Sequence, residues 1–158
     1  MEGGAPSPPQ EVLQEPVAYL NIYGGKQLDQ PRKIMLVEDE SHIGATLKLM
    51  LKRIGFETEI FSTGEQALAH LQSVADQGDT QPALIISDYH LPDVCGLEVF
   101  RRAKQLGLDF PKLLISGDVS DQGVDQWREV PGGYFLSKPF TFKELMAVVN
   151  EAVGMEEG

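Results

Sequence analysis

Three acidic positions and one lysine fall where apolar runs stop. Glu38-Asp39 follow Ile34-Met35-Leu36-Val37, Asp88 follows Ala83-Leu84-Ile85-Ile86-Ser87, and Lys138-Pro139 come just after Tyr134-Phe135-Leu136. Carboxylates at neighbouring strand ends repel one another unless a cation sits between them, so the pattern points to a divalent metal beside a reactive Asp88. Taken singly, each residue has a plainer explanation. Glu38-Asp39 suit a helix start, Asp88 suits a turn, and Lys138 suits an exposed position before a helix. Only a fold that joins the strand ends makes the chemistry.

The elements that must do the joining alternate along the chain from Lys33 onward. Lys33–Val37 and Ala83–Ser87 are continuous apolar runs of the kind buried on both faces. Phe56–Phe61, Lys112–Ser116 and Gly133–Leu136 supply three more strands. Between them, Ile43, Leu47, Met50, Leu51 and Ile54 share one helical face, with Ser41 or Asp39 as its cap and Gly55 at its end. Ser62-x-x-Glu65 and Thr141-x-x-Glu144 read as capping boxes. The first precedes Ala67, Leu71, Val74 and Ala75, and the second precedes Leu145, Val148, Val149 and Ala152. The turn Leu91–Gly96 leads to a helix ending near Leu106, and a weak helix is expected around Asp121–Val130. Strand–helix alternation implies parallel pairing and right-handed crossovers. The expected architecture is therefore α/β: a doubly wound, five-stranded parallel sheet in the order 2-1-3-4-5, with its ligand site outside the carboxyl ends of strands one and three. Glu38, Asp39 and Asp88 all fall there.

Composition narrows the class. A chain of 158 residues is long enough for one domain with a real core. With 13 basic against 24 acidic residues, net −11, it lacks the basic face that nucleic-acid binding or attraction to anionic lipid requires. The single cysteine, Cys95, fits a reducing compartment. No apolar stretch is long enough to span a bilayer, and Met1-Glu2-Gly3-Gly4 has no signal-peptide character, so the expected location is cytoplasmic. Three segments are expected: an extension over 1–31, a domain over 32–154 and a tail over 155–158. The extension is rich in proline and glycine and reads most simply as a mobile tail. Its apolar piece Val17–Tyr23 could instead add to a sheet edge or dock in a groove.

Four pieces in order resemble the receiver domain of two-component response regulators. They are Ile34–Glu40, Ile85–Pro92, Leu113–Gly117 and Phe135–Phe140. The resemblance implies the flavodoxin-like receiver fold and makes Asp88 the phosphoacceptor for a phosphohistidine on a sensor histidine kinase or phosphotransfer protein. It implies Mg²⁺ held by Asp39 and Asp88, by the His90 backbone carbonyl, and by Glu38 directly or through water. It makes Lys138, before a cis Pro139, an ion-pair partner of Asp88 and then of the phosphoryl group. Ser116 becomes the hydroxyl that moves toward the phosphate, and Phe135 the aromatic that follows it. Many relatives carry Tyr at that last position; Phe has no hydroxyl, so any signal it carries must pass through packing. His90 and Asp118 fall at positions that tune phosphate lifetime in the family.

Rival readings separate on residues. A flavodoxin-type cofactor protein needs a glycine- and hydroxyl-rich cradle after strand one, and Glu38-Asp39-Glu40 would repel its phosphate. An aspartyl-phosphate phosphatase needs a second acid two residues past its nucleophile, where this chain has His90. A receiver-like module that binds proteins without phosphate keeps every element of the fold and is the main alternative. The expectation is a stand-alone receiver, or a piece of a longer regulator, that switches a protein-binding face and modifies only itself rather than turning over a product. It would have a downstream protein target, and the sequence leaves homodimerisation open. The segment 117–133, with Gly117, Gly123, Gly132 and Gly133, is soft enough to be that face. Trp127 within it reads as either a buried anchor or a partner contact.

Overall fold

The computed structural model describes residues 32–78, 81–117, 125, 127 and 133–154. In chain order these residues form β1 (Arg32–Val37), α1 (Ser41–Arg53), β2 (Phe56–Phe61), α2 (Gly64–Gln77) and β3 (Leu84–Asp88). Then come α3 (Gly96–Gln105), β4 (Lys112–Ser116), β5 (Gly133–Ser137) and α4 (Phe142–Val153). All pairings are parallel, and the five strands lie in the order β2-β1-β3-β4-β5, as the alternation predicts. The helix expected around Asp121–Val130 falls outside the described residues except for Asp125 and Trp127, which are helical. The extension 1–31 and the tail 155–158 also lie outside them.

The apolar runs fold as central strands because both of their faces are covered. Ile34 and Leu36 of β1 pack with Leu47 and Leu51 of α1 and with Leu145 and Val149 of α4. Met35 and Val37, pointing the other way, pack with Ala67 and Leu71 of α2 and with Val99 and Phe100 of α3. Each such large side chain removed from water contributes roughly 1.5–3 kcal/mol before conformational entropy is counted. Edge strand β2 buries Phe56 and Thr58 but leaves Glu57, Glu59 and Ile60 exposed, so its run is broken. Trp127 is buried, stacked on Phe100, and its Nε1–H donates to the Tyr134 carbonyl at 2.8 Å.

Two helix starts differ from the sequence reading. For α1 the cap is Glu40, neither Ser41 nor Asp39, and its side chain makes no capping bond. Glu38 reaches forward instead and accepts the Glu40 amide at 3.1 Å. For α2 the cap is Thr63, which accepts the Gln66 amide, while Ser62 donates from its amide and hydroxyl to the Gln66 side chain. The Ser62–Glu65 box does not form because the Glu65 amide is taken by a distant carboxylate, Asp93, at 2.8 Å. The box at α4 forms as expected, with Thr141 and Glu144 each accepting the other's amide.

Candidate functional site

Strand ends set the site. β3 runs one residue further than expected, so Asp88 is its last residue and is 8 % exposed. Glu38 and Asp39 leave the adjoining end of β1, Glu38 buried and Asp39 exposed. One carboxylate oxygen from each of Glu38, Asp39 and Asp88 lies within 4.8 Å of the others. Lys138, just past β5, reaches over from the far side of β4. Its Nζ is 3.2 Å from Asp88 Oδ2 and 3.8 Å from Glu38 Oε1. The Lys138-Pro139 bond is cis. Ser116 is fully buried at the end of β4, between β3 and β5, and its carbonyl accepts the Lys138 amide at 2.9 Å.

The electrostatics follow from burial. Desolvation is the largest influence on Asp88 and raises its carboxyl above the usual aspartate range; the Lys138 ammonium and its hydrogen bond oppose that, Asp39 adds to it and His90 opposes it. Desolvation also raises Glu38; the Glu40 amide and Lys138 oppose it, and the charges of Asp88 and Asp39 add to it. Among the described residues, three carboxylates face the Lys138 ammonium, which leaves an excess of negative charge in a partly buried place. The donors are all hard oxygens at a spacing that direct or water-bridged ligation spans. This donor set fits Mg²⁺.

The other predicted residues are less tightly drawn in. His90, two residues past Asp88, is exposed, bridges Cys95 through the backbone and sets its ring edge-on to Tyr89. Phe135, in register with Leu114, is half-buried against the core shared by α2 and α3. Asp118 lies outside the described residues.

Two residues that the sequence shows only as parts of a turn matter here. Asp93 sits in the β3–α3 loop, and its Oδ1 accepts the Gly64 amide at 2.9 Å and the Val94 amide at 3.0 Å, while Oδ2 accepts Glu65. These amides, that of Glu65 foremost, hold its carboxyl below the usual range. The loop after Asp88 is thereby fastened to the first turn of α2. Gly96 closes the same loop: its amide donates to the Tyr89 carbonyl at 2.8 Å. A Cβ on Gly96 would stand 2.2 Å from the Asp88 carbonyl oxygen, so no side chain fits. An aspartate after proline is an ordinary turn signal, and nothing local tells that its partners begin α2.

This fold and this cluster define a receiver. Residues 34–150 match the family model described as Response regulator receiver domain. The chain belongs to that family, the receiver domains of two-component signalling. It is 29% identical to the alkaline phosphatase synthesis transcriptional regulatory protein PhoP of Bacillus subtilis over 126 residues, covering 80% of this chain and 50% of that protein. It is 30% identical to the phosphate regulon transcriptional regulatory protein PhoB of Pseudomonas aeruginosa over 118 residues, covering 73% of this chain and 49% of that one. The chain thus spans about half the length of the curated relatives it matches. Among solved structures, the receiver domain of hybrid histidine kinase CckA aligns with a TM-score of 0.60 at 27% identity, covering 77% of this chain and 98% of that one. A CheY-like receiver protein from Methanospirillum hungatei shares the fold, with a TM-score of 0.68 at 23% identity over 79% of this chain and 95% of that one. Among the described residues, no helix is long and apolar enough to cross a membrane.

Proposed function

We propose that Asp88 accepts a phosphoryl group from a phosphohistidine on a sensor histidine kinase or phosphotransfer protein, and that the modified receiver engages a downstream protein. The observation that carries this reading is the buried Asp88 carboxylate, held 3.2 Å from the Lys138 amine within a nest of two further acids. An Asp88 oxygen attacks phosphorus, the bond from phosphorus to the histidine nitrogen breaks, and that nitrogen leaves with the electron pair. Asp88 is aimed by the pinned loop behind it and kept available for attack by Lys138, whose ammonium then pairs with a phosphoryl oxygen. Ser116 stands on the neighbouring strand end, where its hydroxyl can donate to the phosphoryl group. Asp39, Asp88, the His90 carbonyl and Glu38 would hold Mg²⁺. When bound, this ion supplies positive charge to the phosphoryl oxygens as they develop charge. The chain acts on itself and releases no separate product, and its location is proposed to be cytoplasmic.

The test is incubation with Mg²⁺ and a small-molecule phosphodonor, followed by intact-mass measurement. A phosphorylated species should form, vanish in Asp88→Asn and weaken sharply without Mg²⁺. Absence of that species in the unaltered protein, or its persistence in Asp88→Asn, would overturn the reading and favour a module that binds its partner without phosphate.

A further inference from the structure

The loop between β3 and α3 carries His90, whose backbone carbonyl is one of the oxygens that would hold Mg²⁺. Backbone bonds hold the base of this loop. The Tyr89 amide donates to the Ile115 carbonyl on β4, the Tyr89 carbonyl accepts the Gly96 amide, both at 2.8 Å, and His90 bridges Cys95. The tip is held by α2 instead. Asp93 spreads its two oxygens over the first amides of that helix, accepting Gly64 at 2.9 Å on Oδ1 and Glu65 at 2.8 Å on Oδ2. A carboxylate at the positive end of a helix, accepting bonds that its own charge strengthens, makes a firm joint. Val94 closes it: a Cβ on Gly64 would overlap Val94 Cγ2, so glycine is what lets loop and helix touch.

The helix has a cap of its own. Thr63 Oγ1 accepts the Gln66 amide at 3.1 Å, and Ser62 donates to the Gln66 side chain. Asp93 adds something that a local cap does not, a link between segments 28 and 29 residues apart in the chain. What the link fixes is the loop. A carbonyl on a loose loop has to be ordered when an ion arrives, and the lost conformational entropy then weakens binding. A carbonyl on a tethered loop was ordered during folding.

We propose that Asp93 is a positioning residue for the metal: it supplies no ligand atom but, by tying the loop to α2, keeps the His90 carbonyl in place for the ion. The inference rests on the Mg²⁺ reading of the acidic nest. The deciding experiment titrates the unphosphorylated full chain with Mg²⁺ alone and follows backbone amide resonances. Asp93→Ala should raise the Kd about tenfold. Asp93→Asn, in which an NH₂ group faces one of the helix amides, should raise it several-fold, and this variant decides the matter if the alanine variant does not fold. Thr63→Ala removes a cap from the same turn of α2 and leaves the tether intact, so it should lower stability without changing the Kd. With a small-molecule phosphodonor, the deficit of Asp93→Ala should shrink as Mg²⁺ is raised, because the defect lies in holding the ion. Equal Kd values for the unaltered chain and the Asp93 variants would overturn the proposal and leave Asp93 a helix cap only. Equal weakening in Thr63→Ala would also overturn it, by tracing the effect to α2 as a whole. A chain that binds no Mg²⁺ before any substitution brings down the metal reading and this inference with it, whereas an affinity that the Asp93 substitutions leave untouched brings down this inference alone.

Discussion

At the carboxyl ends of β1 and β3 the sheet gathers three carboxylates, with an ammonium arriving from beyond β5, whereas at the amino ends of β4 and β5 it gathers aromatic rings with lysines at the rim. The first end holds charge where burial disfavours it, as the raised Asp88 and Glu38 carboxyls record. The second end closes its apolar side chains on one another: Phe100, Leu108, Phe110 and Trp127 are all buried. Only the first departs from the most stable arrangement. The difference teaches where chemistry can sit: the end with crowded charge has a donor set that fits a divalent cation, while the other end is packed as ordinary core.

The largest effect that would break this comparison comes from Asp88→Asn. Phosphorylation should be lost outright, while the metal-free protein should gain stability near neutral pH, because a carboxylate whose charge burial disfavours on balance, even beside Lys138, has gone. Calorimetry and intact mass on one sample check both; a destabilised variant would mean that the acid end is not strained. Next, saturating Mg²⁺ should raise stability by about 2.7 kcal/mol at a hundredfold excess over its Kd, read as a shift in Tm that Asp39→Asn largely abolishes. Gly96→Ala should cost roughly 1–3 kcal/mol through overlap with the Asp88 carbonyl, and Mg²⁺ titration should show weakened binding as well.

The strands were legible from sequence because β1 and β3 are buried on both faces over Ile34–Val37 and Leu84–Ile86, where no polar residue interrupts the run. The α4 box was legible because both partners lie within one turn. The start of α2 was not, since its amides are claimed by Asp93 from across the chain. Glu38, Asp39, Asp88 and Lys138 could be picked out as strand-end residues and as matches to a family pattern, but their distances depend on register. Gly96 was legible only as the end of a turn: what forbids its side chain is a carbonyl oxygen, and backbone positions are not written in residue types. The burial of Trp127 was half-legible, for an indole serves a core or a partner equally well until its neighbours are known.

The smallest effects sharpen the comparison by sign. In the metal-free protein, the raised Asp88 and Glu38 carboxyls bind protons at a pH where the unfolded chain has released them. Their joint contribution to stability therefore grows as pH falls through their folded pKa values toward the ordinary carboxylate range, and is lost as pH rises. Asp93 works the other way. Its depressed carboxyl stabilises above the ordinary aspartate value and stops doing so as pH falls through its lower folded value. Denaturant titrations of the unaltered protein, Asp88→Asn and Asp93→Ala from neutral pH to acid should separate the two trends. Asp93→Ala should lose stability near neutrality and flatten the acid limb, by less than any change above because the group is exposed.

The shared carboxylate of Asp93 has one more consequence. Amides at the beginning of α2 and the stretch leading away from Asp88 hang from a single side chain, so neither can fray alone. Deuterium should enter the Gly64 and Glu65 amides only as often as that stretch lifts away, which makes two backbone positions at the start of α2 a clock for how frequently the loop after Asp88 loosens.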